Sequence, residues 1–279
     1  MLKFYLNTIQ DTLPSPANLK IWNKQALGVC SLCGYNNCTM VHIFNCCQYS
    51  LRTGRYNWRH DTVLREILHQ IAPAILRART STKDDSRRGI AFKSAEGTKY
   101  GNVTLMGPKD QESIKNSTDW KVVWDEDKLP MIFPPEIVST SRRPDITIYS
   151  QALKAGVVIE LTVPAEENMS QANLRKKCKY EDLIREGGEA GWELTYFPVE
   201  VGARGFTSKS LRTCLKFIGL TNKEIRVALD SVSRVALPAT YTLWLSRNNK
   251  NFGSWELISR PYIPPVEDEV EAPTQPSET

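Results

Sequence analysis

The chain has no run of 18 or more apolar residues. Its best stretch, Val157 to Val163, is short and interrupted by Glu160, which excludes a membrane-spanning helix. The opening stretch Met1-Leu2-Lys3-Phe4-Tyr5-Leu6 meets polar Asn7 and Gln10 too early to read as the apolar segment of a secretory signal. The chain therefore reads as intracellular. Internal repeats are lacking. Cysteine is scarce outside one short stretch: of seven in 279 residues, five lie between Cys30 and Cys47, and Cys178 and Cys214 stand alone. A secreted disulfide scaffold spreads an even number of cysteines along the chain, whereas a tight cluster beside a His points to metal. Lys and Arg are missing from Pro261 to Thr279, against five acids (Glu267, Asp268, Glu269, Glu271, Glu278). Setting those five charges aside turns the net +5 into +10 for residues 1–260. Such a body is compatible with a polyanionic partner but does not identify one.

With 41% apolar and 24% charged residues, the composition fits one or two globular domains. Residues 1–29 read as a lead-in, with a breaker at Asp11 to Pro16 and a brief helix near Asn18 to Gln25. The cysteine stretch, 30–50, follows. From Asp61, apolar Val63, Ile67, Leu68, Ile71, Ile75 and Leu76 recur at helical spacing, with Asp61 or Thr62 as N-cap and Pro73 as a bend or stop. Residues 77–118 are charged and turn-rich and read as a mobile connection, so 51–118 comprises a helix and a linker. Beyond 119 the texture becomes α/β. Lys121–Trp124, Asp145–Tyr149, Val157–Val163 and Glu193–Val201 read as strands. Helices are expected over Glu166 to Glu186 (ending at Gly187-Gly188), Ser208–Ile218 and Asn222–Val235. This domain is placed at 119–247, and 261–279 reads as a disordered acidic tail.

Cys30-x2-Cys33-x8-His42 with a following Cys supplies four ligands of the kind Zn2+ takes in a tetrahedron. Cys46 and Cys47 can each close the site; Cys47 is favoured, with Cys38 and Cys46 as spares. A closed four-ligand site of this kind is normally structural.

A second constellation follows. Asp145 begins one strand and Glu160 sits inside the next. If the two strands form a hairpin across 150–156, the carboxylates converge at one end of the sheet. A carboxylate among Val157, Val158, Ile159, Leu161 and Val163 is costly to bury unpaired. Two acids sharing a site is also how proteins hold Mg2+ or Mn2+, which can activate water and stabilise a phosphate undergoing attack. The following helix offers cations: Lys176, Lys179 and Tyr180 share a face at i, i+3, i+4. The plainer alternatives are a strand-start acid at Asp145 and a solvated lysine run.

These residues, with Gly54-Arg55-Tyr56-Asn57-Trp58-Arg59-His60-Asp61, Arg143-Pro144-Asp145, Ile159-Glu160-Leu161-Thr162-Val163-Pro164, Lys176-x2-Lys179-Tyr180 and Pro198-Val199-Glu200-Val201-Gly202, occur in an order that resembles the C-terminal region of non-LTR retrotransposon polyproteins. There a reverse transcriptase is followed by a zinc knuckle and a restriction-like endonuclease of the PD-(D/E)xK superfamily. The likeness spans about residues 28 to 247. It implies a restriction-endonuclease-like core, a mixed sheet flanked by helices, preceded by a CCHC zinc knuckle and a helix. The implied activity is nicking of nuclear duplex DNA to prime reverse transcription. Asp145 and Glu160 would hold Mg2+, and Lys176 or Lys179 would serve as the catalytic lysine, because Thr162 stands where a plain E-x-K motif has its lysine. Tyr180 would assist. Arg59 and His60, with Arg142 and Arg143, would contact nucleic acid; a helix cap at Asp61 with a packed His60 explains that triplet equally well. Element RNA and a reverse transcriptase supplied in trans are the further partners implied, since no polymerase precedes the knuckle in this chain. The rival readings are a non-catalytic nucleic-acid-binding module and an inactive relic.

Overall fold

Alternating β-branched residues on either side of Gly156 close a hairpin at the centre of the chain. In the computed structural model, which describes residues 1–80, 113–125 and 132–250, β2 (Ile146–Ser150) and β3 (Ala155–Thr162) pair antiparallel, with Ile146 opposite Ile159. β1 (Lys121–Trp124) adds antiparallel to the free edge of β2. β4 (Glu193–Glu200) lies parallel to β3, with Glu160 level with Pro198. The result is a mixed sheet of order β1-β2-β3-β4. The one parallel step requires a crossover, which α5 (Met169–Glu189) provides after a short turn at Glu166–Asn168.

Strand alternation sorts the two faces. Ile146, Ile148, Val157, Ile159 and Leu161 point toward α4 (Arg55–Thr80), α6 (Lys209–Phe217) and α7 (Asn222–Leu245). Tyr149 and Val158 point the other way, against Tyr180 and Leu183 of α5. Each fully buried aliphatic contributes about 1.5–3 kcal/mol, and that layer can hold a costly acid at Glu160. Of the N-terminal elements, α1 (Leu2–Ile9) meets the far half of α7 through Phe4 on Tyr241 and Trp244, α2 (Pro16–Ile21) is tied to the cysteine stretch by Ala17 N–H on Cys38 O, and α3 (Gln48–Arg52) packs on α4. On that half of α7, Phe4, Cys30, Leu32, Phe44 and Cys47 pack with Trp244. Residues 1–248 pack as one unit, so the segments delimited on the sequence are joined through α7.

The structure departs from the sequence reading in several places. The lead-in contains a first helix, α1, that was not expected, and its second helix stops at Ile21 rather than Gln25. α4 begins at Arg55, just after Gly54 in the left-handed region (φ 71°), so Asp61 and Thr62 lie in its second turn and neither is an N-cap. Pro73 does not stop it: the proline is on the exposed side while Ile71, Ala74 and Ile75 hold the helix to the core. α7 likewise runs past Val235, through Pro238, to Leu245. α5 continues through Gly187-Gly188 to Glu189, since Gly187 is there for close packing: a Cβ on it would meet Leu194 Cδ1 at 2.2 Å. The left-handed stop is Gly191 (φ 80°), where Trp192 N–H donates to Gly187 O. Of the expected mobile connection, 81–112 lies outside the described residues. Its last part is fastened, Ile114 N–H donating to Phe217 O and Ser117 N–H to Ala78 O (both 3.0 Å). The acidic tail 261–279 is also outside the described residues.

Candidate active site and metal centre

Asp145 is one residue before β2, and the hairpin register continued by one step sets it opposite Glu160. The two acids are interlocked through the backbone. Asp145 N–H donates to Glu160 Oε2 (3.3 Å), and Leu161 N–H donates to Asp145 Oδ2 (2.5 Å). Glu160 is 2% exposed and shares the face of Val158, toward α5. α5 answers with cations. Lys176 Nζ donates to Glu160 Oε1, and Lys179 Nζ reaches the same oxygen at 3.4 Å. Tyr180 OH accepts from Lys179 Nζ at 2.9 Å and donates to Arg143 O at 2.9 Å, which ties the start of β2 to the helix. Burial, and then the neighbouring Asp145 carboxylate, push the Glu160 carboxyl above its ordinary value, with Lys176 and Lys179 opposing. Burial likewise raises the Tyr180 hydroxyl, with the Glu160 charge adding to it, so the phenol stays a donor.

The expected set Asp145, Glu160, Lys176, Lys179 and Tyr180 thus lies together. His60 joins it from the opposite face of the sheet's end. Its Nε2 is 3.3 Å from Asp145 Oδ2, and its Nδ1 is 3.0 Å from Asp61 Oδ1. Burial pulls the imidazole down, but the Asp145 and Asp61 carboxylates outweigh it and lift the group to about 10. His60 is therefore an imidazolium clamped between two acids, which motif order alone did not bring out. One buried acid was missed outright. Glu200, 3% exposed, is a buried carboxylate on β4 between Val199 and Val201, and the argument applied to Glu160 applies to it as well. It accepts from Asn173 Nδ2 (2.8 Å) and Ser210 Oγ (2.7 Å).

The arginines expected to touch nucleic acid are placed differently. Arg59 is 2% exposed; its guanidinium donates to Val163 O (2.8 Å) and Thr240 Oγ1 (3.3 Å). Burial draws it down to about 10. Arg59 is an internal tie and cannot meet a phosphate from that position. Arg142 donates to Asp182 Oδ2 (2.9 Å), and Arg143 grips Asp125 with Nη2 at 2.8 Å from both oxygens. Both reach solvent beside Asp145, each already holding an acid.

The thiol centre is built from a loop and a turn. Gly34, left-handed at φ 78°, lets its N–H donate back to Cys30 O, which closes the Cys30-x2-Cys33 bend. The wide helical turn His42–Cys46 then carries His42 and Cys47 to one side. The ligand atoms of Cys30, Cys33, His42 and Cys47 all lie within 4.8 Å of one another. Cys30 Sγ and Cys47 Sγ are 3.9 Å apart, and Cys33 Sγ is 3.3 Å from His42 Nε2. A tetrahedron with Zn–S bonds of ~2.3 Å has an S–S edge of roughly 3.8 Å, so this Cys3His cluster can hold zinc. Cys46 is exposed and outside it. Cys38 is buried, and burial raises its thiol, so it fills space as a small apolar group. Tyr35 stacks on His42 with ring centroids 4.8 Å apart.

α4 fastens both centres. Tyr56 OH accepts from Cys47 N–H (3.0 Å) and donates to Ile43 O (3.0 Å), holding the ligand turn. One turn on, His60 meets Asp145. Between them, Val163 O, just past β3, accepts both Arg59 of α4 and Asn45 Nδ2 of the ligand turn (3.0 Å), so those two elements share one carbonyl. No family model matches the chain, and no curated protein matches it as a relative.

Proposed function

We propose that the chain is a Mg2+-dependent endonuclease of the restriction-like, PD-(D/E)xK type that nicks duplex DNA, with the Cys3His centre as its structural zinc knuckle. The reading rests on one observation: Glu160, buried in a strand and raised by its neighbour Asp145, is met by an ammonium group from α5. Two carboxylates from paired positions at the sheet end are the oxygen donors a hard divalent cation takes, and such an ion would compete there with Lys176 and His60. Asp145 and Glu160 would hold that cation, which when bound lowers the pKa of a water and offsets phosphate charge. The chain's own groups do the rest. Lys179, half exposed, can turn from Glu160 toward a scissile phosphate, while Lys176 stays on Glu160 and fixes its rotamer. Tyr180 holds Lys179 through its hydroxyl and Asp145 through Arg143 O. His60 orients the other side of Asp145 and presents a proton next to the site. The order of motifs along the chain supports a retrotransposon-type nuclease, acting on nuclear DNA.

The test is Glu160→Gln, which keeps the volume and removes the charge. Mg2+-dependent nicking of supercoiled plasmid should disappear while the far-UV spectrum and zinc content are kept; nicking at the wild-type rate overturns the assignment. One observation favours the non-catalytic alternative, a nucleic-acid-binding module: Glu160 is already satisfied by Lys176 without any metal. Calorimetric titration with Mn2+ separates the two, since binding that vanishes in Asp145→Asn and Glu160→Gln belongs to the enzyme, and no binding in the wild type belongs to the module.

A further inference from the structure

One row of side chains docks α5 on the sheet, and the flank beside that row borders the carboxylate site. Asn173 Nδ2 donates to Glu200 Oε1 of β4 (2.8 Å), Lys176 Nζ to Glu160 of β3, and Tyr180 OH to Arg143 O ahead of β2 (2.9 Å). Tyr196 OH donates to Lys176 O as well (3.0 Å). These ties come from three places on the sheet, so the rotation of the helix about its own axis is fixed. At about 3.6 residues per turn, Arg175 and Lys179 then stand one above the other on one flank of the docked row. Lys177 stands on the opposite flank. Lys179, half exposed, reaches Glu160 Oε1 at 3.4 Å, which makes its flank the one beside the two acids.

Arg175 and Lys179 are like charges at i, i+4, a spacing that works against a helix. Arg175 is exposed and makes no ion pair among the described residues. The helix's own stability does not explain the run either. Met169 to Tyr180 holds Arg175, Lys176, Lys177 and Lys179 and no acid, while Glu186 and Glu189 occupy the last turn, the reverse of what the helix dipole favours. The acids beside the two cations already have partners. Asp182 has Arg142 (2.9 Å) and Arg185 (3.6 Å), Asp125 has Arg143 (2.8 Å), and Asp145 and Asp61 share His60. Glu160 is held by Lys176, and Glu181 lies on the flank of Lys177. Arg175 is therefore surplus positive charge one turn from Lys179, with a rise of about 6 Å between them. Consecutive phosphates of one nucleic-acid strand offer single negative charges at a comparable through-space repeat. The guanidinium fork also suits a phosphate bidentately.

We propose that Arg175 grips the backbone phosphate next to the one that Lys179 meets, so that this flank of α5 tracks the strand of duplex DNA being cut. This rests on the nuclease reading above and adds to it a substrate-binding residue and the side on which the strand runs. Fluorescence anisotropy of a labelled duplex with the full chain, without added Mg2+, tests it with no need for cleavage. Arg175→Gln should weaken binding across duplex sequences and lower the slope of log affinity against log salt by about 0.9, one phosphate of a duplex. Arg175→Lys should keep the wild-type slope. Lys177→Gln, the same change of charge on the opposite flank, should leave affinity and slope unaltered. A wild-type slope in Arg175→Gln overturns the proposal, even if affinity falls, because the side chain then serves the fold and meets no phosphate. Equal losses in Arg175→Gln and Lys177→Gln also overturn it, since the cations are then a diffuse face with no preferred side. A loss seen only with single-stranded oligothymidylate overturns the duplex as occupant. If Glu160→Gln abolishes nicking while Arg175→Gln keeps the wild-type slope, the clamp is wrong and the nuclease stands. A duplex-binding slope that follows Arg175 and not Lys177 in a chain that never nicks supports the flank and removes the nuclease.

Discussion

Two polar centres are fastened to the first two turns of α4, and they handle charge in opposite ways. The thiol centre gathers three thiols and an imidazole with their ligand atoms within 4.8 Å of one another, a donor set that could take a zinc ion. The carboxylate centre brings its own cations: Lys176, Lys179 and the His60 imidazolium. The first is closed by packing around Phe44, Cys47 and Trp244, whereas the second opens on Lys179 and keeps like charges face to face. A four-ligand cluster of soft donors with no open carboxylate is suited to holding a fold. A centre with movable ammonium groups and a repelling pair of acids is suited to chemistry, because its charges can be redistributed when a phosphate arrives.

That contrast can be broken by experiment. The largest effect is expected for Cys47→Ala, which should lose stoichiometric zinc and the fixed environment of Trp244. Structural zinc contributes roughly 10–16 kcal/mol of binding in small fingers, comparable to the whole stability of a domain at about 5–15 kcal/mol. Metal analysis and near-ultraviolet circular dichroism read it; full zinc retention would remove Cys47 from the ligand set. Glu160→Gln should lower nicking by about 100-fold or more yet leave the melting temperature unchanged or higher, as the repulsion with Asp145 is relieved. A collapsed melting temperature would make Glu160 a structural partner of Lys176 and erase the contrast. Arg59→Met sharpens it from between the centres. Stability should fall by about 1.5–3 kcal/mol, the loss of charged hydrogen bonds to Val163 O and Thr240, with zinc retained and nicking reduced. The smallest change in nicking is expected for His60→Asn: about tenfold, through misorientation of Asp145, with a loss of about 1.5–3 kcal/mol in denaturant unfolding as Asp145 and Asp61 lose their shared cation. Unaltered nicking there would confine His60 to packing.

Legibility in the sequence followed the strength of each local conflict. Glu160 stood out because a carboxylate in an apolar strand needs a reason, and the hairpin around Gly156 was readable from alternation. Glu200 presents the same conflict between Val199 and Val201, but its resolution by Asn173 and Ser210 is assembled from two distant elements. The first turns of α4 were opaque for a different reason. Arg55-Tyr56-Asn57-Trp58-Arg59 reads as polar, while Arg55 and Arg59 are buried with their guanidiniums on Ser246 O and Val163 O. Burial of that kind is decided by tertiary partners, not by periodicity. Pro73, Pro238 and Gly187 mislead similarly: each is a local breaker overridden by packing on one side. Spacing left Cys46 and Cys47 both open with Cys47 favoured, and the fold separates them; His60's contact with Asp145 likewise depends on a helix meeting a strand 85 residues away.

α7 has a consequence for how this chain can be divided. One half, through Ile225, Ala228 and Val232, lies under the sheet; the other, through Leu237, Tyr241 and Trp244, closes over Phe4 and Phe44. Cutting after the knuckle would strip a hydrophobic seam from both pieces, each of which would emerge sticky and half-dressed. The metal-binding segment is on this account a clasp welded to its neighbour, and swapping it as an independent cassette between proteins would require carrying the last three turns of that helix along with it.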